Sequence, residues 1–278
     1  MMNLRSSCLG FLLAFAILSA DSVSAQLADH GIESLPGGVP ILEETGFSGT
    51  VLIYDLRADR LQATNPPLAD ARRIPASTFK VVNSLIALET GLLVDEHTVI
   101  AWDSVVRSRT ELNRDLELAE AFRVSALPHF QSLARAAGSG RMSHYIDLLQ
   151  YGNLDLNGGI DQFWVTGGLR ISPREQLELL IRLYADDLPL SPTTMATVRR
   201  VMRREEWPGG ALSAKTGWAR LPDGHEVGWW VGWVERGSDV FFFASMIESD
   251  DPGADFGRAR TGVARAILED QGILPHAD

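Results

Sequence analysis

Three apolar runs towards the C-terminus constrain the fold most: ALSAKTGW (Ala211 to Trp218), EVGWWVGWVER (Glu226 to Arg236) and DVFFFASMIE (Asp239 to Glu248). Each is short, aromatic and β-branched, which suits a pleated, packed surface. The breaks between them, Pro222-Asp223-Gly224 and Arg236-Gly237-Ser238, are hairpin-like, so the runs predict an antiparallel sheet. FSGTVLIYDL (Phe47 to Leu56) reads as a further strand, with Arg57-Ala58-Asp59-Arg60 as its turn. Between these regions the apolar spacing is helical. From Pro75, residues Phe79, Val81, Val82, Leu85 and Ile86 form one face and Gly91 a C-cap. Further helices are expected at Leu116 to Phe122, Pro128 to Ala137, His144 to Gln150 and Pro173 to Tyr184, and a last one at Phe256 to Gln271, closing at Gly272. The pattern predicts an α/β fold of the α+β type: an antiparallel sheet flanked by terminal helices, with an inserted all-helical subdomain. Residues 26–74 and 191–278 are expected to build the sheet part and 75–190 the helical part, with a ligand cleft at their junction.

The N-terminus has a separate purpose. Arg5, the apolar run Leu9 to Ala20 and the small-residue stretch Val23-Ser24-Ala25 have the layout of a secretory signal peptide cut after Ala25. The apolar run is shorter than the ~20 residues a bilayer span needs, so periplasmic export without stable membrane association is expected. Cys8 is the sole cysteine and precedes that cut, leaving residues 26–278 without a thiol, a disulfide or a cysteine metal site. A core of this size needs no such staple. The net charge of −11 disfavours nucleic acid and anionic membranes as partners. The six histidines show no zinc-ligand spacing, so no metal is expected. A monomer and a homodimer both agree with this composition.

Charge usage singles out two positions. The chain has twenty-three arginines and two lysines, Lys80 and Lys215. A composition bias explains scarcity but not placement: Lys80 closes Ser77-Thr78-Phe79-Lys80 at a predicted helix start, and Lys215 opens Lys215-Thr216-Gly217 on a predicted strand. Residues three apart on a helix share a face, so Ser77 and Lys80 can meet. A serine hydroxyl attacks only when a base takes its proton, and backbone N–H groups at a helix start favour the resulting anion. A buried lysine can lose its proton, which arginine cannot do.

These motifs resemble the first and last motifs of the penicillin-recognising serine enzymes. Ser125-Ala126-Leu127 resembles the middle Ser-x-Val motif of the class D (oxacillinase-type) β-lactamases, and Tyr151-Gly152-Asn153 and Asp161 to Ser172 resemble segments that follow it. The similarity runs from about Phe47 to Pro275 in the expected order. Leu127 replaces the usual valine, and Leu112-Asn113-Arg114-Asp115 stands where the family often has Trp-Asn-x-Asp. No Glu-x-x-Leu-Asn segment of the class A type occurs.

The resemblance implies a β-lactamase/transpeptidase-like fold and a serine β-lactamase acting on small β-lactams. It implies Ser77 as nucleophile and Lys80 as general base, carboxylated on its side-chain nitrogen by carbon dioxide or bicarbonate, with no other cofactor. Trp164 would hold the carbamate, with Val124 and Val165 as apolar walls and Leu127 beside them. Ser125 and Lys215 would pass a proton to the leaving nitrogen, and the backbone N–H groups of Ser77 and Trp218 would bind the oxyanion. Thr216, Lys215 and Arg260 would receive the substrate carboxylate, with Arg258 as the competing assignment for Arg260, and Gly217 would also line the substrate site. Two rivals share the nucleophile: a transpeptidase or carboxypeptidase, and a sensor domain that stays acylated.

Overall fold

The computed structural model describes Leu27, residues 31–253 and residues 255–276; the segment read as a signal peptide lies outside the described residues. In chain order the strands are β1 (Glu33–Ser34), β2 (Ser48–Asp55), β3 (Arg60–Ala63), β4 (Val99–Ile100), β5 (Leu116–Glu117), β6 (Arg203–Trp207), β7 (Gly210–Arg220), β8 (Glu226–Arg236) and β9 (Asp239–Ser249). The helices are α1 (Gly38–Glu43), α2 (Lys80–Glu89), α3 (Leu118–Arg123), α4 (Leu127–Leu148), α5 (Pro173–Tyr184), α6 (Pro192–Met202) and α7 (Phe256–Asp270). Seven strands form one sheet in the order β1-β3-β2-β9-β8-β7-β6, antiparallel except for the pairing of β1 with β3. Among the described residues no helix is long and apolar enough to cross a membrane.

The three aromatic runs are the centre of this sheet. Strand β8 is buried almost throughout because both of its faces are covered, which is why it reads as a continuous apolar run. Trp229, Val231 and Trp233 face a core shared with Val82 and Leu85 of α2, Leu177 and Leu180 of α5, and Met195 and Val198 of α6. Trp230 on the opposite face joins Phe243, Ile247 and the α7 residues Phe256, Ala264, Ile267 and Leu268. Hairpin β8–β9 turns through Gly237 and Ser238. Gly237 takes a φ of 60° at the first turn position, where a side chain would be strained.

Several boundaries differ from the expected ones for identifiable reasons. The helix expected at Pro75 opens as a 3₁₀ turn, Ala76–Phe79, and becomes α-helical at Lys80. Thr78 closes that turn, with both its N–H (3.2 Å) and its hydroxyl (2.8 Å) donating to the Pro75 carbonyl. Leu116 and Glu117 are strand, paired with Ile100 and Val99, and the helix begins only at Leu118. The two helices expected in 128–150 are present but abut within α4, separated only at Gly138, whose φ of 80° and ψ of 160° are not helical. Helix α5 has the expected bounds, set by Pro173 and a reciprocal capping box between Ser172 and Glu175. Helix α6 and the edge strand β6 were not anticipated.

Candidate active site

Where α2 and its 3₁₀ turn meet β7, the two lysines and two serines come together. Lys80 Nζ lies 2.7 Å from Ser77 Oγ. The 3₁₀ turn achieves this while leaving Ser77 partly accessible and burying Lys80 completely. The Lys80 ammonium faces the Phe130 ring at 5.5 Å. Burial, reinforced by the charge of Arg109, lowers the Lys80 pKa to about 7, so a large share of the side chain is neutral amine near pH 7.

Ser125 comes from the junction of α3 and α4. Helix α3 ends as Ser125 N–H donates to Phe122 O at 3.1 Å and Ala126 N–H to Ala121 O at 2.8 Å. That closure fixes Ser125 at a φ of 57°, a left-handed conformation uncommon outside glycine. Its Oγ accepts from Lys215 Nζ at 3.1 Å, and the same ammonium donates to Thr216 O at 3.0 Å. Burial pushes Lys215 well below the usual lysine range, helped by the charges of Lys80, Arg204, Arg260 and Arg109. Ala76, beside the nucleophile, is likewise left-handed, with φ of 48°. Two strained non-glycine residues at one site fit a constellation held by its surroundings.

Gly217 lets β7 approach the Ser77 turn. A Cβ there would lie 2.9 Å from Pro75 O and 3.1 Å from both Thr78 Cγ2 and Trp229 Cβ. Thr216 beside it is half-buried, and Trp218 is 44 % exposed, its indole N–H donating to Glu226 at 2.6 Å. The Arg260 guanidinium lies over the Trp218 ring at 5.1 Å, half-buried, with no partner for its Nε among the described residues. Arg258 is instead exposed and paired with Asp255. Of the two arginines, only Arg260 is among the charges acting on Lys215.

Val124, Leu127 and Val165 are partly buried and pack against the core that contains Phe79, Phe130 and Trp164. Trp164 is fully buried and stacks on Phe79 at 5.0 Å and 28°. Its indole N–H is without a hydrogen-bond partner among the described residues. An unpaired buried donor costs about 1–3 kcal/mol. Tyr151-Gly152-Asn153 holds the loop that carries Trp164: Asn153 accepts from Arg170 N–H at 2.8 Å and donates to Gly168 O at 3.0 Å.

Comparison with known proteins places this geometry. Residues 49–269 match the penicillin binding protein transpeptidase domain family. β-Lactamase OXA-5 of Pseudomonas aeruginosa is 37 % identical over 228 residues, covering 81 % of this chain and 85 % of that protein. β-Lactamase OXA-48 of Klebsiella pneumoniae is 37 % identical over 227 residues, 82 % and 84 % of the two chains. The crystal structure of a class D β-lactamase from Sebaldella termitidis superposes with a TM-score of 0.83 at 33 % identity, covering 88 % of this chain and all of that one. The chain belongs to the class D β-lactamases. As in the solved member, a mixed α/β architecture surrounds a central sheet.

Within this class D framework, some site residues were not anticipated. Arg109, on the loop before α3, donates to Val124 O at 2.9 Å and lowers the pKa of both lysines. Gln176 of α5 donates to Thr78 Oγ1 at 2.7 Å, supporting the Ser77 turn from behind. Arg204 donates to Ala214 O at 3.0 Å, and burial lowers its pKa to about 10. As one arginine among twenty-three or a glutamine inside a helix, none has a sequence signal of its own. Leu112-Asn113-Arg114-Asp115 organises the Arg109 loop. Asn113 bonds the Arg107 N–H and carbonyl at 2.9 and 2.8 Å, Asp115 accepts from Trp102 N–H at 2.8 Å, and Leu112 is buried.

Proposed function

We propose that this chain hydrolyses β-lactams through an acyl-enzyme on Ser77, with Lys80 N-carboxylated as the general base. The observation that carries this reading is a buried lysine with pKa near 7, held 2.7 Å from a serine hydroxyl and accompanied by the unpaired N–H of Trp164. Only a neutral amine adds carbon dioxide, and burial together with Arg109 provides one. The product is an anion in an apolar site, for which Trp164 Nε1 is a suitable donor with no acceptor capacity. The cations Lys215 and Arg109 then favour the added negative charge for the same reason that they disfavour an ammonium.

The N-carboxyl group supplies a base for both halves of the reaction, taking a proton first from Ser77 and later from water. Ser77 Oγ attacks the lactam carbonyl, and the backbone N–H groups of Ser77 and Trp218 receive the oxyanion. Ser125, hydrogen-bonded to Lys215, relays the proton taken from Ser77 to the ring nitrogen as the C–N bond breaks, which frees the base for water. The proton then taken from water returns to Ser77 Oγ as the acyl ester breaks. Thr216, Lys215 and Arg260 receive the substrate carboxylate. Burial without an anionic partner among the described residues leaves Arg260 ready for one.

The deciding experiment follows a chromogenic β-lactam with purified protein at limiting and at added bicarbonate. Sustained turnover that bicarbonate raises is expected. A single stoichiometric burst would instead indicate a sensor-type domain that stays acylated. Export through residues 1–25 is part of the proposal, so periplasmic protein should begin at Gln26 on N-terminal sequencing.

A further inference from the structure

Arg109 is anchored one residue from the middle serine, yet it is not consumed by that anchoring. Its Nη2 donates to Val124 O and its Nε to Glu111 Oε1, both at 2.9 Å, while Nη1 has no hydrogen-bond partner among the described residues. The Arg109 and Glu111 side chains are 52 % and 45 % exposed, so their ion pair is weak and can be exchanged for a stronger one. The charge nevertheless reaches the reacting groups, since it acts on both Lys80 and Lys215. Arg260, on a separate element, already serves as the half-buried cation beside β7. The site thus has one more mouth cation than a β-lactam with a single carboxylate requires.

We infer that Arg109 is a specificity-determining residue that pairs with a second carboxylate, one carried on the acyl side chain of the β-lactam. Nη1 offers N–H groups to a carboxylate oxygen, and the tie of Nη2 to the Val124 carbonyl holds the planar guanidinium in place to present them. The inference rests on the β-lactamase reading above. Its competitor is a purely structural role, in which Arg109 only ties its loop to Val124.

Two substrates that differ by one group separate these roles: benzylpenicillin and its α-carboxy derivative. For each, kcat/KM is measured on the full mature chain, on Arg109→Gln and on Arg109→Lys. The ratio of carboxylated to parent substrate is expected to fall about tenfold in Arg109→Gln, the scale of one charge-assisted hydrogen bond, and less in Arg109→Lys. Effects of Arg109 on Lys80 or on loop order act on both substrates and cancel in the ratio. At 0.5 M salt the ratio for the unaltered chain should shrink towards that of Arg109→Gln. A ratio that stays within twofold in Arg109→Gln, whatever the absolute rates, overturns the inference alone. Turnover of neither substrate by the unaltered chain overturns the β-lactamase reading with it.

Discussion

Lys80 shows how one side chain can require its own identity. An ammonium this deeply buried pays for desolvation, and the charge of Arg109 adds to the cost, so the neutral form becomes available near pH 7. Lys80→Arg keeps the charge but removes both the neutral state and the nucleophilic nitrogen. Turnover should drop by about 10²–10⁴-fold, the usual worth of a general base. The proposed carbamate predicts a ¹³C resonance after labelling with ¹³C-bicarbonate that this variant should lack; a variant with undiminished turnover would contradict the mechanism. The same pKa sets a pH dependence. Because the folded value lies below that of a free lysine, the amine is neutral above about pH 7 and protonated below it. At fixed, limiting dissolved carbon dioxide, activity should fall on the acid side of about pH 7, and added bicarbonate should restore part of it. Arg109→Gln removes one depressing charge and should move that limb upward. A profile flat from pH 6 to 8 would exclude Lys80 as the titrating group. Both lysines were legible in the sequence because scarcity made them conspicuous. Arg109 was not, since only the folded loop brings it to Val124.

At the level of elements, the site depends on how closely β7 approaches the Ser77 turn. Gly217 sits where a Cβ would meet the Pro75 carbonyl at 2.9 Å, a backbone atom that cannot rotate away. Gly217→Ala must therefore separate the strand from the turn, with an expected stability loss of about 1–3 kcal/mol. Since β7 carries Lys215 and the turn carries Ser77 and leads into Lys80, kcat/KM should fall as well. A chemical denaturation midpoint and kcat/KM both equal to those of the parent would show that the approach is not limiting. The elements that the sequence made plain carry their own signals: β8 and β9 by unbroken apolar runs, and α5 by Pro173 and the Ser172–Glu175 box. Helix α6 was missed because Thr193, Thr194 and Thr197 dilute the helical pattern. Tertiary packing makes it a helix, with Met195, Val198, Val201 and Met202 entering the main core. The 3₁₀ opening of α2 was equally hidden. It depends on Gln176, ninety-eight residues away, holding Thr78.

The whole molecule poses an electrostatic contradiction. A chain of net charge −11 should repel an anionic substrate at long range. The site, however, gathers Lys215, Arg204, Arg260 and Arg109 around Lys80, and among the described residues no carboxylate is among the charges acting on Lys215. These cations come from separate segments, β7, the start of β6, α7 and the loop before α3, so only the folded junction of helices and sheet creates the local field. The two fields predict opposite salt effects. If net charge governed encounter, screening would relieve repulsion and kcat/KM would rise with ionic strength. The site cations are closer to the approaching carboxylate, and the Debye length shortens from about 30 Å at 0.01 M to about 10 Å at 0.1 M salt. The near field should therefore dominate where binding is decided. For a penicillin with one carboxylate, kcat/KM is expected to fall several-fold between 0.01 M and 0.5 M salt, with kcat largely unchanged. Arg260→Gln should flatten that slope by removing a half-buried charge that has no anionic partner among the described residues. A rate that rises with salt, or a slope identical in Arg260→Gln, would assign steering to the net charge and remove Arg260 from the carboxylate site.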